Sequence, residues 1–490
     1  MRRSVFFTSL VLLVGCAGSH LAAPPVIVPK PAVAAGDATG AVPADAPLAK
    51  TPDDHGDTGD HPVATAGSWI GANVESDSLR AGVADANVGV WVDAPIARAH
   101  RRVPMDVALA IDTSGSMAGA KLDNARKAAQ QLIDQLADGD IVSIDTFADT
   151  AKTVAEPTVL SAATRTQLSG KLVQLVANGS TDMFDGLGLA EMHASRAPAT
   201  HAVRRVVVIS DGKANVGPSS PEALGALAER GLRVHTQITS LGVGVDYDER
   251  TLNALAERSS GRLYHLSEPK ELASLLKREL DLLSSTVATD AFVEIVPASG
   301  VDILGAEGIR VENLGGGAVR LPLGALFAGQ HREALVRVRI RDTHNAPSRA
   351  LASVRLHFRD PDDGDLERVQ EVVARAAFSN DDAAVARTGN ARTKSIVALL
   401  DASKLELVAV DAVNGGRFAD ASDKLATAQA NLEAQAAASG DDSERARLTT
   451  AAKAVAHTRA SVGAAASAPA AAQRDEALKM NAGAMQQMGY

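Results

Sequence analysis

The chain has 490 residues, 46% of them hydrophobic but only 3% aromatic, and a formal net charge of −10. That length allows two or three domains with substantial cores, while the acidic balance argues against broad electrostatic attraction to nucleic acid or to an anionic membrane surface. A single cysteine excludes an internal disulfide and any cysteine-built zinc site or iron–sulfur cluster.

Taken in order, Arg2 and Arg3 precede an apolar run from Val5 to Val14, the layout of a secretory signal and too short to span a bilayer. The run ends Leu13-Val14-Gly15-Cys16, which resembles the bacterial lipobox. That resemblance implies that residues 1–15 are a lipoprotein signal peptide and that Cys16 is diacylated, anchoring the chain to a membrane of the bacterial cell envelope. Ala17 is not the aspartate that usually retains lipoproteins in the inner membrane, so the outer membrane is the expected address. Residues 16–66 are mostly Ala, Pro, Gly, Asp and Val without a sustained period and are expected to be a disordered tether. As a flexible coil, such a length reaches roughly 40 Å. The run Asp53-Asp54-His55-Gly56-Asp57-Thr58-Gly59-Asp60-His61 within it reads as a solvated acidic linker rather than a metal site.

Residues 67–102 contain one strand-like segment, Ala86 to Val92, with no obvious local partner. From 103 to 284 strands and helices alternate, the pattern of a mainly parallel sheet covered on both faces. Val103 to Ile111 is continuously apolar and predicts a buried central strand. It is followed by helical spacing at Leu122, Ala125, Ala129, Leu132, Ile133 and Leu136. Further strands are expected at Ile141 to Phe147, at Ala151 to Glu156 as an antiparallel edge, at Val203 to Ile209, within Leu232 to Val245, and at Arg262 to Leu266. Leu168, Leu172, Leu175 and Val176 mark one side of a helix, Phe184, Leu187 and Ala190 start another, and Lys270 to Leu283 is the last of the region.

Between the first strand and its helix lies Asp112-Thr113-Ser114-Gly115-Ser116-Met117. A carboxylate and two hydroxyls at alternate positions, on a loop at the carboxyl edge of an α/β sheet, present hard oxygens to one point and suit Mg²⁺, Mn²⁺ or Ca²⁺. This string resembles the metal-ion-dependent adhesion site of a von Willebrand factor type A (VWA) domain. The resemblance extends to Gly179-Ser180-Thr181, to Val206-Val207-Val208-Ile209-Ser210-Asp211-Gly212, and to the ending LGVGVDYDERTL…GRLYHLSEPKEL, about 180 residues in all. It implies that Asp112, Ser114, Ser116, Thr181 and Asp211 hold a divalent cation, Mg²⁺ first and Mn²⁺ or Ca²⁺ as alternatives. In that family the last coordination position is left for a carboxylate from a protein partner.

Beyond the α/β region the period changes to two. Val336, Val338 and Ile340 alternate with Arg337, Arg339 and Arg341, and Val354, Leu356 and Phe358 alternate with Arg355, His357 and Arg359. With Val293 to Val296, Val301 to Leu304 and Val319 to Leu323, these predict a small β-sandwich over 286–378, completed by the strand at 86–92, as in bacterial VWA proteins that the chain resembles. Asp360-Pro361-Asp362-Asp363-Gly364-Asp365 lacks the glutamate of an EF-hand and reads as an exposed turn. Residues 381–490 are expected to be helical, Ala-rich and partly disordered. Thr393 to Val413 and Arg417 to Ala437 are expected to form a hairpin about Asn414-Gly415-Gly416 that resembles one tetratricopeptide-like pair; a single pair cannot make a solenoid, so packing on the sandwich is expected ahead of the alternative, peptide binding. Residues 441–463 and 471–488 are left open between helix and disorder.

Neither a phosphate-binding loop, nor a G-x-S-x-G elbow, nor H-E-x-x-H occurs, and Ser114 stands where a D-x-D phosphatase has its second carboxylate. Catalysis and nucleotide binding are not expected. The expected function is cation-dependent capture of a partner's acidic group by an anchored binding protein. The alternative is a structural component of an envelope complex.

Overall fold

The computed structural model describes residues 68–82, 85–96, 102–211, 213–341, 346–387 and 389–490. The expectations for the signal, for Cys16, for the tether and for the 53–61 run fall on positions outside the described residues.

Three strands come first: β1 (Ile70–Val74), β2 (Ser78–Arg80) and β3 (Asp85–Asp93). The α/β region follows as β4 (Met105–Asp112), α1 (Ala120–Gln135), β5 (Ile141–Phe147), β6 (Ala151–Val159), α2 (Ala162–Val173), α3 (Met183–Ser195), β7 (Val203–Ser210), α4 (Pro221–Leu232), β8 (Thr236–Val243), α5 (Glu249–Arg258), β9 (Arg262–Leu266) and α6 (Leu272–Ser284). Then come β10 (Thr286–Pro297), β11 (Val301–Glu307), β12 (Glu312–Gly315), β13 (Ala318–Phe327), β14 (His331–Ile340), β15 (Ala346–Asp360) and β16 (Leu366–Ser379). The chain closes with α7 (Asp382–Arg387), α8 (Ala391–Asn414), α9 (Phe418–Ala438), α10 (Asp442–Ala465) and α11 (Ala470–Gln487).

The α/β sheet has the order β6-β5-β4-β7-β8-β9, parallel except for β6. The chain leaves β4 toward β6 and returns to β7 on β4's other side, so the order reverses at the β4/β7 pair. Ligand crevices in open α/β sheets form at that point. β4 is buried along its whole length and alternates large with small side chains. Val107, Leu109 and Ile111 meet the layer of α1 and α6, while Ala108 and Ala110 face α3 and α4. Val176, expected on the buried side of the second helix, is 73% exposed, because α2 stops at Val173 and the chain turns away.

The sandwich packs β1-β3-β14-β11 against β12-β13-β10-β15-β16-β2. β3 pairs antiparallel with β14, Val88 opposite Val336, so the α/β region is an insertion between two paired strands of another body. In β14, Val336, Val338 and Ile340 are buried and Arg337 and Arg339 face water, the period-two reading of the sequence. The sandwich is stitched to the base of the α/β sheet by Gln237, which donates to Ser260 O (2.6 Å) and accepts from Ala325 N (3.1 Å), and by Ser260 Oγ donating to Pro322 O (3.0 Å). The 360–365 segment is the tight β15–β16 turn, with Asp360 accepting from Asp362 N (3.0 Å) and Arg368 paired with Asp363.

Residues 442–487 are ordered as two full helices, which resolves the choice left open by their alanine-rich composition. α8 lies on the sandwich, where Gly89 lets it approach: a Cβ there would come 2.7 Å from Thr393 Oγ1. Arg392 clamps the same contact by pairing with Asp93 (2.7 Å) and Glu333 (3.2 Å). α11 instead docks on the β9 edge of the α/β region. Leu478, Met485 and Tyr490 join the core formed by α3, α4 and α5, and burying side chains such as Leu478 and Met485 is worth about 1.5–3 kcal/mol each relative to exposure. No helix among the described residues is long and apolar enough to cross a membrane.

Candidate metal centre

Four loops meet at the carboxyl ends of β4, β7 and β8. Asp112 ends β4 and is fully buried; its Oδ1 accepts from Ser114 N (2.8 Å) and its Oδ2 from Ser210 Oγ (2.5 Å). Burial raises the Asp112 pKa above the usual carboxylate range, and the nearby Asp211 charge adds to that, against opposing hydrogen bonds from Ser114 and Ser210. Ser114 Oγ lies 3.1 Å from Ser116 Oγ, and Ser116 Oγ donates to Asp211 Oδ1 (2.8 Å). Four of the five expected residues are therefore linked in one hydrogen-bonded cluster.

Thr181, the fifth, is buried on the loop before α3. That loop is tied to the serine loop by Gly115 N donating to Gly179 O (3.0 Å). It is tied to the loop after Asp211 by a reciprocal pair, Thr181 N to Asn215 Oδ1 (2.9 Å) and Asn215 N to Thr181 O (3.0 Å). The structure thus brings all five positions to one edge of the sheet.

Among the described residues no group of three or more His, Cys, Asp or Glu side chains is placed to hold a metal. Here the donors are hydroxyls and two carboxylates, all hard oxygens, which fits Mg²⁺, Mn²⁺ or Ca²⁺ and not a soft ion. The sequence reading missed two charged neighbours. Lys121, on the first turn of α1, is ion-paired with Asp211 and lies 3.6 Å from Asp246 on the loop after β8. A lysine two residues into a helix, where the macrodipole disfavours a cation, was the available signal for the first. Nothing local marked Asp246.

The loop carrying Asp246 is gripped by the C-terminal helix. Arg474 of α11 donates to Tyr247 O (3.0 Å) and pairs with Glu249, whose carboxylate it holds below its ordinary pKa against the opposing effect of burial. Tyr247 Oη lies 2.8 Å from His265 Nδ1, and His265 Nε2 lies 2.9 Å from Asp475.

Comparison with known proteins bears on the fold that carries these loops. Residues 106–278 match the von Willebrand factor type A domain family. An uncharacterised protein of Synechocystis sp., sll0103, is 26% identical over 276 residues, 54% of this chain and 64% of that protein. The chain thus spans just under two thirds of that relative's length. Among solved structures, a von Willebrand factor type A protein from Catenulispora acidiphila superposes with a TM-score of 0.63 at 19% identity, covering 81% of this chain and 89% of that one. The ArnB paralog VWA2 from Sulfolobus acidocaldarius does so with a TM-score of 0.58 at 14% identity, covering 85% and 98%. At such identities these two likenesses speak to fold alone, but their coverage extends well beyond the α/β sheet. Residues 106–278 of this chain form a von Willebrand factor type A domain.

Proposed function

We propose that Asp112, Ser114, Ser116, Thr181 and Asp211 bind one divalent cation, Mg²⁺ in the first instance, and that this cation captures an acidic side chain of a protein partner. The observation that carries the reading is the oxygen cluster at the β4/β7 crevice, in which hydroxyls outnumber carboxylates. A divalent ion held by only two carboxylates keeps a net attraction for an anion, and a partner's carboxylate completes its shell. The net charge of −10 opposes acidic partners at long range, but salt screens that field beyond roughly 8 Å. Among the described residues this edge offers oxygen donors suited to a cation, which supports binding over turnover.

Calorimetric titration tests this. Mg²⁺ and Mn²⁺ should bind the wild type, and Asp112→Asn, which keeps the shape of the buried side chain, should weaken binding by roughly tenfold or more. Partner capture from envelope extracts should be lost in EDTA and in the variant together. Absence of heat with either ion, or capture that survives both treatments, would favour a structural role in an envelope complex.

We further infer from Leu13-Val14-Gly15-Cys16 that the domain works from a lipid anchor at the outer membrane. Cys16→Ser should shift the protein from the membrane fraction to the soluble one. Retention of the variant in membranes, with no lipid mass on the wild-type cysteine, would refute the anchor.

A further inference from the structure

Lys121 brings a positive charge into the centre just described. Its ammonium is paired with Asp211 Oδ2, while Asp211 Oδ1 accepts from Ser116 Oγ (2.8 Å). One buried carboxylate thus holds the ammonium on one oxygen and a metal-ligand candidate on the other. Asp246 Oδ2 stands 3.6 Å from the same nitrogen; its side chain is 69% exposed, whereas that of Asp211 is fully buried.

We propose that Lys121 is the resident cation of this centre: its ammonium neutralises Asp211 when no divalent ion is bound, and Asp246 receives it when one is. The proposal rests on the reading that these residues bind a divalent cation. A divalent ion among Ser114, Ser116 and Asp211 and an ammonium on that same carboxylate are like charges only a few bond lengths apart. In a buried setting such repulsion is strong and poorly screened. Lysine is suited to yielding, because its charge is a point at the end of a flexible four-carbon stem. The side chain, 25% exposed, has a second carboxylate already within reach. Asp246 accepts the ammonium at the rim, where both groups stay partly hydrated. Arg474 fixes that acceptor by holding the neighbouring Tyr247 carbonyl. The ion pair with Lys121 also meets the need of the fully buried Asp211 carboxylate for a partner charge. The divalent ion must therefore displace a tethered competitor, and the affinity of the wild type is set below what its oxygens alone would give.

The test is calorimetric titration of Mn²⁺ into the full chain as wild type, Lys121→Met, Asp246→Asn and the double variant. Lys121→Met should bind about tenfold tighter or more. Asp246→Asn should bind weaker, by about threefold or more, and that loss should vanish when Lys121 is also replaced, which a simple change in surface charge would not produce. Lys121→Gln, and the rise in melting temperature on adding Mn²⁺, give independent readings should Lys121→Met fold poorly. Equal affinity of wild type and both Lys121 variants overturns the proposal while leaving the metal centre standing, as does an Asp246→Asn effect that persists in the double variant. Absence of binding in all four proteins overturns both.

Discussion

Raising the pH from 5.5 to 8 should destabilise the folded chain by on the order of a few kcal/mol, and Glu191→Gln should remove a large share of that loss. Glu191 on α3 is 7% exposed, its Oε1 has no hydrogen-bond partner, and burial pushes its pKa up to about 8. Asp106 at the start of β4 is 1% exposed, with neither carboxylate oxygen bonded, and burial raises it to about 7. Burial raises Glu406 of α8 to about 7 as well. The sign follows from proton binding. Below about pH 4 these groups are protonated in both states, and their contribution is fully present. As pH rises the unfolded chain loses protons that the folded chain keeps, so stability falls up to the folded values of 7 to 8. Glutamine cannot ionise, so the stability of the variant relative to the wild type should rise by about 1–3 kcal/mol between pH 5.5 and pH 8. Denaturant unfolding at the two pH values measures this. A wild type equally stable at both, or a variant with an undiminished slope, would contradict the assignment.

Gly261→Ala should cost about 3 kcal/mol or more, although it adds a single methyl group. Gly261 begins the turn into β9, and a Cβ there would lie 1.9 Å from Ile238 O and 2.8 Å from Ile238 C, both backbone atoms of β8. The turn cannot recede cheaply, because Gly261 N donates to Ala256 O (2.8 Å) and Ile238 N donates to Ser259 Oγ (3.0 Å). Either bond would have to stretch, or the β8–β9 pairing would have to open. Chemical denaturation decides this, and a loss below about 1 kcal/mol would show that the turn yields more easily than its bonds suggest.

Which parts of the molecule were legible follows from how locally each is encoded. The loop from Asp112 to Ser116 carries its chemistry within five residues, and Thr181 and Asp211 sit on short strings that mark their loops. From Val336 to Ile340, β14 alternates apolar with charged residues because its outer face there is wet. β16 escaped because its first half is exposed on both faces, leaving nothing for the alternation to record. α11 was hidden for the opposite reason. It touches the bundle on one side and the VWA domain on another, so Ala477, Leu478, Met480, Asn481, Ala482, Ala484 and Met485 are buried all round it and no single apolar stripe exists. Lys121 and Asp246 were invisible as a pair, since their meeting depends on how the β8–α5 loop lies over the first turn of α1.

The pairing of β3 with β14 also sets a timetable for synthesis. Asp93 and His331, which meet at one end of that pair, are 238 residues apart in the chain. At 5–20 residues per second, the ribosome delivers the second about 12 to 50 s after the first. The VWA sheet needs only residues 105–266 and can close within that interval. Throughout it the β1–β3 ribbon, with Val88, Val90 and Val92 meant for the interior, waits with an unsatisfied edge. A nascent chain halted between β9 and β14 would therefore present a finished α/β domain beside an unfinished, adhesive strand.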